Sequence, residues 1–174
     1  LGTEEDKVLL PKKQVPSDVE VGDALTVFVY RDSSDRLIAT TKTPKIQLGE
    51  LRRLKVSQVT GIGAFLDWGL EKDLLMPYKE QTTHVSAGAE YLVALYVDKS
   101  QRLAATMRIN KYLEKSQNLV KDSAVTGTII GITPDYRAYV AVEDKYDAYI
   151  PMSEVCAESR VGEVIHGRVS RVRE

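Results

Sequence analysis

The chain has 174 residues, 43% of them hydrophobic and 28% charged, with a formal net charge of −1. This is a globular composition, and it excludes a whole-molecule electrostatic grip on nucleic acid; any such binding must use a local basic patch. No run of about 18 apolar residues occurs, so no helical membrane span is expected. The opening Leu-Gly-Thr-Glu-Glu-Asp has neither the basic start nor the apolar core of a signal peptide. Leu rather than Met stands first, so Leu1 is not expected to be the natural start. Cys156 is the single cysteine, which rules out an internal disulfide, and a reducing, cytoplasmic setting is expected.

In chain order the sequence writes one pattern three times. "DKVLLPKKQVPSDVEVGDALTVFVYRDSSDRLIATTK" lies over "KDLLMPYKEQTTHVSAGAEYLVALYVDKSQRLAATMR", and "DAYIPMSEVCAESRVGEVIHGRVSRVRE" begins a third copy. Each copy has an apolar triplet ending near Pro11, Pro77 or Pro151, then Gly22, Gly88 or Gly162, then a strand. Strands are predicted at Leu25–Tyr30, Tyr91–Val97 and Val164–Val172, which are rich in β-branched and aromatic residues. Leu37–Thr41 and Leu103–Met107 follow polar turns. Upstream of the second triplet lie Leu54–Val59 and Ala64–Trp68. Upstream of the third lie Val125–Ile130 and Ala138–Val142. A complete copy is about five short strands in roughly 55–65 residues, the size of a small barrel. The expected division is residues 1–48 for the second half of a first barrel, 49–108 for a complete second barrel, and 109–118 for a short helical linker. Residues 119–174 then form a third barrel without its last strand. The fold class is all-β.

The third copy reads "VTGTIIGITPDYRAYVAVEDKYDAYIPMSEVCAESRVGEVIHGRVSRV". It resembles the ribosomal S1-type RNA-binding domain, whose pattern runs V-x-G-x-V-x-x-I, F-G-A-F-V, G-L-V-H-I-S-E and V-G-x-x-V-x-x-x-V. Val125, Gly127 and Ile129 match its opening. Tyr136, Ala138 and Tyr139 match F-G-A-F, Ser153-Glu154 match S-E, and Val161-Gly162 match V-G. In the second copy Ile62-Gly63-Ala64-Phe65 keeps only the second aromatic. RNA-binding members carry an Asp-x-x-x-Arg turn before the last strand, and here Asp32 with Arg36 and Asp98 with Arg102 stand at that turn. The chain departs from the pattern on the third strand, where Pro11, Pro77 and Pro151 stand near the place of a His that would stack and hydrogen-bond. The order of domains resembles the conserved virulence factor B family, which joins tandem S1-type domains to a C-terminal winged helix. On that resemblance a winged-helix domain is expected in the full-length chain, outside these residues.

The resemblance implies tandem five-stranded OB-fold barrels and single-stranded RNA as the partner. Such a strand needs flat surfaces for bases and cations for phosphates. Phe65, Trp68, Tyr136 and Tyr139 are the candidate stacking residues. Arg36, Arg102 and Arg137 are the candidate cations, and Asp32 and Asp98 the acceptors. Tyr136 and Tyr139 are three apart, so a bulge near Arg137-Ala138 is expected to bring them to one face. Plainer readings stand beside these. The Asp-x-x-x-Arg repeat suits a hairpin salt bridge, Phe65 suits a core, and Trp68 suits packing under a loop. Lys12-Lys13 and Arg52-Arg53 suit solvated charges or phosphate contacts. His84 and His166 lack metal-ligand spacing and read as structural.

No Gly-rich phosphate loop, zinc pair, H-E-x-x-H run or nucleophile elbow occurs, so neither enzymatic activity nor a cofactor is expected. The leading expectation is a bacterial RNA-binding protein acting in post-transcriptional or virulence-gene regulation. The alternatives are a barrel array for protein contacts and an accessory segment of a ribonuclease.

Overall fold

The computed structural model describes residues 2, 7–116, 119–135 and 137–172. Among them the regular structure consists of strands and short 3-10 turns. The first unit pairs β1 (Phe28–Arg31) with β2 (Leu37–Thr40) in an antiparallel hairpin. Leu9 lies parallel beside it, bridged to Ile38, and its carbonyl accepts the Ala39 N–H at 2.8 Å.

The second unit is a barrel. Its strands are β3 (Leu51–Thr60), β4 (Gly63–Asp67), β5 (Leu74–Pro77), β6 (Glu90–Val97) and β7 (Leu103–Thr106), in the order β5-β4-β3-β6-β7. Every neighbouring pair is antiparallel. The two outer strands, β5 and β7, then pack on each other and close the sheet. Glu80, just past β5, ties this seam. Its carbonyl accepts the Met107 N–H at 2.9 Å, and its carboxylate accepts the Thr106 hydroxyl at 2.6 Å. Inside sit Leu54, Val56, Leu66, Met76, Val93 and Leu95, none more than 2% exposed. Alternation along the strands explains this: Ala64 and Leu66 point in, and Phe65 and Asp67 point out.

The third unit contains β9 (Ala124–Ile132), β10 (Ala138–Val142), β11 (Tyr146–Ile150) and β12 (Val164–Arg168) in the order β12-β9-β10-β11, the arrangement of the first four strands of the second barrel. Beside β11, where the second barrel places β7, lies the two-residue β8 (Glu114–Lys115), parallel to Tyr146–Asp147. A cavity of about 430 Å³ opens along this seam, lined inside by Val125, Val140, Ala148 and Ile165.

The segment 109–118, expected as a short helix, departs from that expectation. Its helical content is one 3-10 turn over Asn110–Tyr112, followed by β8, with residues 117 and 118 outside those described. Ile109 is fully buried between the barrels, and the Glu114 N–H is taken by the Lys145 carbonyl at 2.9 Å. With the segment pinned at Ile109 and Glu114, residues 113–115 leave the 3-10 turn on an extended path, where an isolated stretch of this length would at best be a marginal helix.

The units dock through specific contacts. Trp68 is 3% exposed, with its indole N–H donated to the Lys72 carbonyl at 2.7 Å. Phe28 and Tyr30 of the first unit meet its ring edge-on at 5.9 and 6.2 Å. Trp68 therefore offers no face to a base, which corrects its place among the stacking candidates: Phe28, Tyr30 and the second barrel's core enclose it. Between the second and third units, Arg53 grips Asp144 through Nε at 2.7 Å and Nη2 at 2.8 Å, and also bonds Thr128. Leu92, Ala94 and Ile109 pack there against Ile130 and Ala141.

Trp68→Ala removes the ring on which two units meet and leaves a void. The expected cost is about 3–5 kcal/mol, read as a fall in calorimetric melting temperature. Tyr96 on β6 supplies a second test. Its hydroxyl is buried without a hydrogen-bond partner among the described residues. Burial first, and the nearby Glu80 and Asp98 charges second, push its pKa up to about 12. The fold thus favours the neutral phenol. That stability is complete below pH 10, the unperturbed value, and drains away as pH rises from there towards 12. Tyr96→Phe should retain stability across this alkaline window when both proteins are titrated by circular dichroism.

Candidate nucleic-acid interface

Two equivalent positions stand out on the barrel surfaces. Ala64 and Ala138 are both fully buried, so the next residue of each strand, Phe65 and Tyr139, faces outward. Both rings are half-buried. The neighbouring first strands each carry one extra residue at this level, Ser57 in β3 and Ile130 in β9. These bulges bend the sheet without disturbing β4 or β10. The expected bulge near Arg137-Ala138 is therefore found on the partner strand instead. Gly63 fixes the start of β4. A Cβ there would lie 2.4 Å from the Met76 carbonyl oxygen, and φ is +147°, so only glycine fits without strain.

Around Phe65 lie Gln58 and Leu75, its partners across the ladder, with Ile62 exposed on the adjoining turn. Tyr78 stands exposed nearby, its hydroxyl donated to the Thr60 carbonyl at 2.5 Å. Tyr139 is paired across the ladder with Tyr149, which is 42% exposed. The Arg137 guanidinium lies over the Tyr149 ring, 5.6 Å from its centre. An aromatic pair and a cation thus share one surface of the third unit. Tyr136 lies outside the described residues. Tyr149 was missed in the sequence, although the alternation of "YDAYI" puts Asp147 and Tyr149 on the outer face.

The two Asp-x-x-x-Arg hairpins have the same backbone. Each closes a three-residue loop whose last member is left-handed, Asp35 at φ 64° and Gln101 at φ 63°. In both the aspartate caps the loop. Asp32 Oδ1 accepts the N–H of Ser34 and of Arg36, each at 2.9 Å. Asp98 Oδ1 accepts those of Ser100 at 2.8 Å and Arg102 at 3.1 Å. The Arg36 N–H foremost holds the Asp32 carboxyl below the usual carboxylate range. For Asp98, burial pushes upward, but the hydrogen bonds from Ser100 and Arg102 outweigh it and the shift is downward. Both carboxylates are turn caps: Asp32 engages both oxygens, whereas the bonds to Asp98 converge on Oδ1.

The arginines differ. Arg36 folds back, giving Nε at 3.1 Å and Nη2 at 2.8 Å to Asp32 Oδ2. Arg102 turns away from Asp98, and its Nε lies 3.9 Å from Asp35 of the first hairpin. Arg31 donates to the Asp35 carbonyl at 3.0 Å. The two hairpins therefore meet, and their guanidinium groups remain 66% and 44% exposed for Arg36 and Arg102. Of the other basic pairs, Lys13 binds Glu71 at 2.8 Å and Arg53 is held by Asp144, while Lys12 and Arg52 are exposed. His166 touches Thr126 at 3.1 Å. Among the described residues no group of three His, Cys, Asp or Glu side chains is placed to hold a metal ion.

Comparison with known proteins agrees with this architecture. An S1 domain family model matches residues 1–42 and 48–108. The uncharacterized protein YitL of Bacillus subtilis is 29% identical over 98% of this chain and 60% of its own length. Conserved virulence factor B of Staphylococcus aureus is 26% identical over 97% of this chain and 59% of its own. The chain thus spans about three fifths of the length of these relatives. A multidomain protein with nucleic acid binding domains from Streptococcus pneumoniae superposes with a TM-score of 0.62 at 21% identity, covering 99% of this chain and 64% of that one, and shares its fold. With the family model matched across the first unit and the whole second barrel, this chain belongs to the S1 domain family.

Proposed function

We propose that this chain binds single-stranded RNA along the outer faces of its barrels, as a binding module rather than an enzyme. The observation that carries the reading is the repetition of one outward-facing, half-buried aromatic position, Phe65 and Tyr139, on the second strand of two successive barrels. In OB-fold barrels the face of the second and third strands and the loops joining strands one to two and four to five receive oligonucleotides. Tyr149, Leu75 and Arg137 extend the same surface. Membership of the S1 domain family and the solved multidomain relative support the reading. A cytoplasmic role in post-transcriptional control of virulence genes is the finer form of the proposal, supported by the similarity to conserved virulence factor B.

Labelled single-stranded RNA titrated by fluorescence anisotropy, beside single-stranded DNA and duplex RNA, tests this directly. With a net charge of −1, few phosphates should be neutralised. The expected slope of log affinity against log salt is about −2 to −4, at roughly −0.7 per phosphate. Failure to bind any single strand at low salt would defeat the proposal.

Stacking should be visible in Tyr149→Ala and Phe65→Ala, each weakening binding by roughly 1–3 kcal/mol. Tyr149 is the cleaner probe, because Tyr139 also packs on the contact between barrels. Unchanged affinity in both variants would move the site off these faces.

The hairpin arginines separate ligand contact from turn chemistry. Arg102 bonds Asp98 only through its backbone, which alanine keeps, so Arg102→Ala should leave the melting temperature nearly unchanged. If its donors reach phosphate, RNA affinity should fall roughly tenfold. Arg36→Ala should lower the melting temperature slightly, since it also removes the bond to Asp32.

A further inference from the structure

Between the two aromatic faces runs the linker, whose residues belong to no S1-type motif. Its backbone is held at both ends. Ile109 is fully buried, Tyr112 N–H bonds the Ile109 carbonyl at 2.8 Å, and Glu114–Lys115 pair in parallel with Tyr146–Asp147. Tyr112 is half-buried against the same inter-barrel cluster as Tyr139. The Lys111 amine lies over the Tyr112 ring, 5.0 Å from its centre, and its side chain is exposed. Lys115 is also exposed and lines the same cavity mouth as Tyr139 and Tyr149.

Position singles out these two amines: Lys12, Lys42 and Lys99 are also exposed without an ion pair among the described residues, but Lys111 and Lys115 lie beside the tyrosines of the third unit. Lys13, Lys45, Arg53 and Lys145 each sit within ion-pair distance of a carboxylate. The linker's own Glu114 is taken by Lys145 at 3.4 Å. Lys111 and Lys115 have no ion pair among the described residues, although Asp147 stands in register beside Lys115. The result is two exposed cations without an ion pair among the described residues, on a strip tied down by the Glu114 N–H and its pairing with β11, next to Tyr112, Tyr139 and Tyr149. A pre-ordered strip loses little freedom on binding.

We infer that the linker is itself a binding element, in which Lys111 and Lys115 hold two phosphates of the strand as it leaves the third barrel's aromatic face. The inference rests on the RNA-binding reading above and extends it from the barrels to the segment between them. Bases stack on Tyr139 and Tyr149, and the phosphates between them and the second barrel pass over the two amines.

The test is the double variant Lys111→Ala/Lys115→Ala, with Lys111→Gln/Lys115→Gln as a companion that keeps more of the side-chain length. Both are titrated against a labelled single-stranded oligo-U at several salt concentrations, beside Tyr149→Ala and a thermal melt. The expected result is a loss of about 1.4 from the magnitude of the salt slope, roughly 0.7 for each phosphate, in both double variants with an unchanged melt. Tyr149→Ala should weaken binding at unchanged slope. If the wild type binds and Tyr149→Ala weakens it, but the lysine variants keep the full slope, the linker inference is overturned while the barrel faces stand. If the wild type binds no single strand, both readings fall.

Discussion

The pleat of the second strand is the constraint on which the binding face depends. Ala64 and Ala138 are wholly inside their barrels, and strand geometry turns each following side chain to the opposite face. Phe65 and Tyr139 are outside for that reason, not because aromatic rings favour water. The constraint holds only while β4 and β10 stay regular. The extra residue each sheet needs for curvature is therefore found next door, at Ser57 and Ile130. Gly63, pressed against the Met76 carbonyl, fixes where the second barrel's strand begins. A slip of one residue would bury the ring and expose the alanine.

The contacts that order the units also shape this face. Ile130 and Ala141 lie on the outer side of the third unit, yet Leu92, Ala94 and Ile109 cover them. What stays open is the side towards β11, with Tyr149 and Arg137. Arg53 reinforces the arrangement by gripping Asp144 in the tight turn between β10 and β11. Both central residues of that turn, Glu143 and Asp144, are left-handed at φ 51° and 53° without being glycine. They begin a three-residue turn between the paired Val142 and Tyr146, in which the Lys145 N–H bonds the Val142 carbonyl at 3.0 Å. In the first unit a different device does the joining, with Phe28 and Tyr30 set edge-on to Trp68.

Electrostatics follow the same economy. Most cations near the joints already face carboxylates: Lys13 with Glu71, Lys45 with Asp67, Arg53 with Asp144, Lys145 with Glu114. Lys45 and the Gly69 N–H together hold the Asp67 carboxyl below its ordinary range. Cations elsewhere, Lys12, Arg52 and Arg137 among them, have no ion pair among the described residues and stay open to phosphate. Exposed guanidinium groups at the paired hairpins and unpaired amines on the linker become the informative positions.

The sequence by itself determined the threefold repeat, the strand content and the hairpins at Asp32 and Asp98. These are local matters: period-two alternation, loop chemistry and the spacing of Pro and Gly act within a few residues. Only the tertiary structure decided the rest. Trp68 lies two residues beyond Leu66 on the inward face, but its burial depends on Phe28 and Tyr30, some 40 positions earlier. Arg53 reads as a surface charge until Asp144, 91 residues away, meets it. Glu114–Lys115 carry no local signal for a strand; their pairing with Tyr146–Asp147 imposes one. Tyr149 lay within reach of alternation, whereas its cationic neighbour Arg137 needed the ladder that sets β10 beside β11. Local backbone preference is written in consecutive residues, while burial and ion pairing depend on what the chain brings back from far away.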